Sequence, residues 1–259
     1  MSDLKELLDY HAELKNCDEN LFAKPDPLQV ARRYNDPLIA LICALFSYGN
    51  AANIVKFLNS LDFALLNLSE ETIRKTLTTH KYRFQSLRDV AEIFVTFRRL
   101  KESFSIEETV LEGFNKEGNM VDGIATLIEK IEQLNSYSSD GYSFFFGKSF
   151  DKKPKSPYKR YNMYLRWMVR SSDIDMGLFK KLDKKDLLIP LDVHTHKTSL
   201  ALGLMSRKTY DFDAVLELTN ALRSYDMADP IRYDFALYRL GQSKEIESLL
   251  KNDTSKAQI

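Results

Sequence analysis

Cysteine is almost absent from this 259-residue chain: Cys17 and Cys43 are the two it has. They cannot build a disulfide framework or a four-thiolate iron–sulfur site. Neither sits in a C-x-x-C pair, which argues against a structural zinc site. Glycine is scarce at 9 residues, and alternating β-branched runs are missing. That argues against a β-rich fold. Net charge is also absent, with 37 basic residues against 37 acidic. Overall charge therefore selects no partner, and only its distribution can. The longest apolar run, Leu38 to Phe46, is 9 residues, far short of the ~20 that span a bilayer. The first turns are charged, unlike a secretory signal. These features lead to the expectation of a cytoplasmic protein that makes no membrane contact.

What is present is helical periodicity and a 44 % hydrophobic content, enough for a sizeable core. Leu4, Leu7, Leu8, His11 and Leu14 mark a first helix, and 20–27 reads as a breaker-rich loop. Asp36-Pro37 opens a strong apolar helix, with Asp as N-cap and Pro at N1. Further helices are expected at 51–61, 69–79 and from Ser86, and a capping-box pattern starts at Ser105. Ile124, Leu127, Ile128, Ile131 and Leu134 form an amphipathic stripe, and 135–156 reads mostly as loop. Ser156-Pro157 starts the next helix, Asp192 caps another running to Gly203, and two more cover 213–225 and 230–241.

Three stretches could carry chemistry. Lys148 to Arg170 holds eight basic residues against the single acid Asp151. Such local excess suits a phosphate backbone, although a charge run is more often a solvated face. With Ser156 as N-cap and Pro157 as N1, Lys159 falls at N3. There the positive helix end disfavours an ammonium and favours the free amine that a nucleophile needs. Met163, Arg166 and Arg170 follow it along one strip of the helix. The second stretch is PLDVHTHK at 190–197. A carboxylate at Asp192 can cap a helix with one oxygen and point the other elsewhere. Asp192, His194 and His196 also suggest a metal, but residues two apart converge on a strand and not on a helix. The third is 229–238, where Asp234 and Tyr238 are i, i+4 neighbours able to read a base edge and stack on its face.

KRYNMYLRWMV at 159–169, PLDVHTHK at 190–197 and ALGL at 201–204 resemble an uncharacterised bacterial family. That family in turn looks like a divergent branch of the helix-hairpin-helix (HhH-GPD) DNA glycosylase superfamily. Residues 38–54 and HKYRFQS at 80–86 are similar to its N-terminal half. The glycine-rich hairpin before the lysine is replaced here by KSPY at 155–158, and 33 positions separate Lys159 from Asp192. Both departures look most like the archaeal 8-oxoguanine glycosylases.

The resemblance implies an all-α, two-lobed fold with a central cleft. Residues 36–170 would carry the lysine helix, 1–35 plus 171–246 the aspartate, and 247–259 a tail. It implies base-excision repair of an oxidised purine, with AP-lyase action through a lysine Schiff base. Lys159 and Asp192 are the implied catalytic pair, with Lys155 the alternative nucleophile. Met163, Asp234 and Tyr238 would line the base pocket. Lys148, Lys152, Lys153, Lys155, Arg160, His194 and Lys197 would hold DNA, and Arg83 or Phe84 would wedge into the duplex. The expected partner is double-stranded DNA with a damaged base, bound by a monomer without cofactor, metal or iron–sulfur cluster. A non-catalytic nucleic-acid-binding module and a metal-dependent hydrolase are the rival readings.

Overall fold

The computed structural model describes residues 2–148, 150, 153–171 and 174–243. Lys152 and the 247–259 tail lie outside the described residues. Among the described residues the fold is all-helical, with no strand and one isolated bridge between Tyr82 and Gln85. The first ten helices are α1 (Ser2–Lys15), α2 (Asp18–Phe22), α3 (Pro27–Tyr34), α4 (Pro37–Leu45), α5 (Ala51–Ser60), α6 (Glu70–Thr76), α7 (Leu87–Ser103), α8 (Ile106–Glu117), α9 (Met120–Glu132) and α10 (Asp140–Phe146). Four more follow: α11 (Lys159–Val169), α12 (Val193–Ala201), α13 (Phe212–Arg223) and α14 (Asp234–Ser243). None of the described helices is long and apolar enough to cross a membrane.

The chain divides into two compact units, 25–152 and 1–24 with 153–259. These boundaries differ from the divisions after 35 and 170 that the resemblance implies. The lysine helix therefore falls in the same unit as the aspartate, and not in a lobe opposite it.

In the 25–152 unit, the Asp36-Pro37 start holds: Asp36 Oδ1 accepts from Leu38 N at 2.7 Å and Ile39 N at 3.0 Å. α4 then ends at Leu45, ahead of the expected Gly49. The reciprocal capping box belongs to Ser86 and Asp89 at the start of α7. At Ser105 only the forward bond is made, to Glu108 N at 3.4 Å. Helix α10 lies inside the expected 135–156 loop. Its Phe145 and Phe146 are buried and join Phe46 and Phe97 in an aromatic core. Those apolar positions are too few for helical periodicity to show in the sequence. Helices α2 and α3 likewise occupy what read as loop and connector, each too short for a periodic signal.

The other unit is built around α11, in which every residue from Tyr161 to Arg170 is buried. Its last carbonyls are satisfied by the returning chain: Trp167 O accepts from Met176 N at 2.8 Å, and Met168 O from Phe179 N at 2.8 Å. Tyr233 Oη donates to Asp9 Oδ1 at 2.8 Å, and Asn16 Nδ2 donates to Arg232 O at 2.8 Å. These bonds fasten α1 to the segment that leads into α14.

Helices α12 and α14 approach closely at Gly241. A Cβ placed there would lie 2.7 Å from Thr198 Oγ1, 2.9 Å from His194 Cβ and 3.0 Å from His194 O. Gly241→Ala would gain about 0.5–1 kcal/mol of helix propensity. The overpacking costs more, about 1–3 kcal/mol. Urea denaturation is expected to show a net loss of stability for the variant. An unchanged or raised midpoint would mean that α12 yields without cost.

Candidate functional site

Asp192 is the N-cap of α12, and Thr195 N donates to its Oδ1 at 2.8 Å. The apolar stretch before it is anchored by Ile189 N donating to Thr219 Oγ1 at 3.1 Å. At the far end Gly203 takes φ 67°, and Leu204 N reaches back to Ser199 O at 2.9 Å, a Schellman-type stop. The second carboxylate oxygen of Asp192, Oδ2, lies 3.7 Å from Lys159 Nζ. The Asp192 side chain is 14 % exposed and that of Lys159 30 %, so the pair is largely sheltered yet open to solvent on one side.

Lys159 reaches this place from N1 of α11 and not from N3. Ser156 and Pro157 do not start the helix. Tyr158 is the N-cap, held in the left-handed region at φ 48°. The cause is Asn162, whose buried side chain donates to Pro157 O at 3.1 Å while its backbone N–H takes Tyr158 O at 3.1 Å. This ties Pro157 outside the helix. Lys159 still begins the first turn, where unsatisfied N–H groups concentrate.

Behind the pair lies a chain of buried charges. Arg166 Nη1 donates to Asp234 Oδ2 at 2.6 Å, and Arg166 Nε to Asp175 Oδ1 at 3.2 Å. Arg170 bonds Asp175 as well, and its Nε meets Asp229 Oδ1 at 3.0 Å. Lys184 Nζ closes the row 3.3 Å from Asp229 Oδ2. Burial raises the Asp234 pKa most, Arg166 opposes it, and the neighbouring Asp192 charge pushes it up further, to about 6. Burial likewise raises Asp175, against the pull of Arg166 and Arg170. Arg166 and Arg170 are thus neutralised inside the protein, and the basic excess of 148–170 contributes less surface charge than its composition suggests.

Met163, one turn beyond Lys159, is buried, as is Asp234. Tyr238 is half-buried. Its hydroxyl accepts from Gln242 Nε2 at 2.6 Å, and its ring meets that of His194 edge-on at 6.0 Å. His194 and Lys197 are exposed on α12, and Lys155 is exposed before α11. Arg160 is half-buried, while Lys153 is engaged by Asp213 at 2.6 Å. Lys148 belongs to the 25–152 unit. There Arg83 and Phe84 form the tip of the Tyr82–Gln85 turn. Arg83 has φ 50°, and its guanidinium lies 5.3 Å from the centre of the Phe84 ring, which is 58 % exposed.

His196 does not join Asp192 and His194. Its ring is buried, with Nε2 3.0 Å from Arg207 O. Among the described residues no group of three or more His, Cys, Asp or Glu side chains is placed to hold a metal. The clamp formed by Arg166 and Asp175 was missed at the sequence level. The available signal was two arginines inside MYLRWMVR (163–170), where apolar neighbours on every side imply burial and therefore acidic partners.

No curated protein and no solved structure matches the chain. A protein family described as of unknown function, DUF2400, matches residues 26–243, a span that contains Lys159, Asp192, Asp234 and Tyr238. The chain belongs to the DUF2400 family.

Proposed function

We propose that the protein is a DNA glycosylase with AP-lyase activity, of the helix-hairpin-helix kind that its sequence resembles, acting on an oxidised purine such as 8-oxoguanine in duplex DNA. One observation carries this reading: Lys159 Nζ lies 3.7 Å from a carboxylate oxygen of Asp192 whose other oxygen is fixed by the α12 cap. An amine at the start of a helix beside an oriented carboxylate is the pairing of nucleophile and base that covalent catalysis needs.

In the proposed reaction the damaged nucleotide is flipped out of the duplex. Asp192 accepts a proton from the Lys159 ammonium, and Nζ bonds to C1′. The C1′–base bond breaks, its electron pair leaving with the base, which takes up a proton. Opening of the sugar gives the Schiff base. Loss of a C2′ proton then expels the 3′-phosphate by β-elimination, and water releases Lys159. Met163, Asp234 and Tyr238 flank this chemistry, and Arg166 holds the Asp234 carboxyl in place. The exposed Lys155 and Lys197 and the half-buried Arg160, with His194, supply phosphate contacts.

The test is incision of an end-labelled duplex containing 8-oxoguanine opposite cytosine, beside the same duplex with guanine and one with an abasic site. Base release and a nick at the lesion, with the guanine duplex untouched, are expected. Salt-dependent binding to all three duplexes without release or incision would refute the proposal in favour of a binding module.

A further inference from the structure

The 25–152 unit contains an open cleft of about 950 Å³ that the proposed chemistry does not use. Its floor is one face of α7, from Leu87 to Arg99, and its walls are the end of α6 and the loop 135–138. Three arginines line it, Arg74, Arg88 and Arg99. Two of them are already paired. Arg74 meets Glu92 at 2.8 and 3.2 Å, and Arg99 meets both Glu70 oxygens at 2.7 Å. Burial works against the Glu92 charge, but Arg74 and Asn135 overcome it and keep the carboxylate ionised below the usual range.

Arg88 is different. It is exposed, and although its charge helps to keep Glu92 ionised, it forms none of the close ion pairs that hold Arg74 and Arg99. Its guanidinium carbon lies 4.9 Å from the centre of the Tyr137 ring. That ring is itself pinned, with Tyr137 Oη donating to Asp89 Oδ1 at 2.7 Å. A guanidinium laid on a fixed ring has its plane set while its N–H edge stays available, the geometry that suits phosphate. Ser136 and Ser138 flank Tyr137 in the chain, line the cleft and are exposed. Beside these donors Leu77, Leu87 and Ala91 give the cleft an apolar side.

We propose that this cleft binds a phosphate monoester carrying a flat apolar group, the chemistry of a 5′-nucleotide, either free or at the end of a strand. Arg88 and the serine hydroxyls take the phosphate, and the leucine side takes the base.

Calorimetric titration of the intact protein tests this with adenosine 5′-monophosphate, adenosine, inorganic phosphate, and a trinucleotide with and without its 5′-phosphate. The phosphorylated ligand is expected to bind at least tenfold more tightly than its dephosphorylated counterpart. Arg88→Ala should remove that advantage and Arg88→Lys keep part of it. Should Arg88→Ala fail to fold, Ser138→Asp on the exposed loop is expected to weaken the same ligands. The monophosphate alone showing the effect assigns a free nucleotide, and the trinucleotide alone a strand end. Equal binding with and without phosphate, no binding of either phosphorylated ligand, or an Arg88→Ala variant that binds like wild type would overturn the proposal. Inorganic phosphate binding as tightly as the monophosphate would overturn its apolar half.

Discussion

Arg166→Met is expected to cost about 3–5 kcal/mol of folding stability, the scale seen when one partner of a buried ion pair is removed. Methionine fills much of the space, so the loss is electrostatic and not a cavity effect. Asp234 would lose its 2.6 Å partner, and Asp175 one of its two arginines. The deficit should depend on pH in a definite direction. Asp234 in the folded protein titrates near 6, above its ordinary value of 3.8. A folded state that holds the proton more tightly than the unfolded chain loses stability as pH rises from about 4 to about 6. Without Arg166 the window extends upward, because the cation that opposed the shift is gone. Chemical denaturation of Arg166→Met should therefore show a smaller deficit at pH 5 than at pH 8. A deficit equal at both values would contradict the assignment of the loss to uncompensated carboxylates.

Asp192→Asn is expected to lower base release by about 10²–10⁴-fold, the usual contribution of a positioned acid–base group. Asparagine caps helices about as well as aspartate, so α12 and the fold should survive. What is lost is the negative charge beside Lys159 Nζ. Single-turnover rates on the 8-oxoguanine duplex, with the melting temperature as a control, separate the two contributions. A matched fall in rate and melting temperature would mean that Asp192 acts only as a cap. A second consequence follows for Asp234, since the Asp192 charge helps to raise its pKa. In the asparagine variant Asp234 should titrate lower than in wild type.

Much of the framework was legible in the sequence because local rules and tertiary packing agree there. Asp36-Pro37, Ser86 and Asp192 cap helices as their side chains dictate. The dual use of the Asp192 carboxylate was readable too, because an N-cap needs one oxygen and leaves the other. The errors have physical causes. Ser-Pro is a strong helix-start signal, but at 156–157 the buried Asn162 amide overrides it through a contact five residues away. The phenylalanines of α10 satisfy a core assembled from distant segments, and so leave no periodic pattern of their own. Composition alone counted Arg166 and Arg170 with the surface lysines. Their partners, Asp175, Asp229 and Asp234, lie 5 to 68 positions away in the chain. No local rule connects such pairs, although the apolar neighbours of the arginines signal that acids must exist somewhere.

The unit boundaries differ for a related reason. Both crossings, 24–25 and 152–153, fall in stretches that the sequence marks as loop, Lys24-Pro25-Asp26-Pro27 and 135–156, but several other loops look the same. Where the chain changes unit depends on which helices share a core, as α1 does with the segment leading into α14. Lys159 and Asp192, the proposed catalytic pair, are brought together within one compact unit.

Borohydride trapping tests the central claim most directly. Wild type, Lys159→Ala and Lys155→Ala would each be mixed with the 8-oxoguanine duplex and with an abasic duplex under reduction. The account predicts a covalent protein–DNA adduct with wild type and Lys155→Ala on both duplexes, and none with Lys159→Ala. An adduct that persists in Lys159→Ala and disappears in Lys155→Ala would move the nucleophile to Lys155. No adduct from wild type on either duplex would contradict the Schiff-base account.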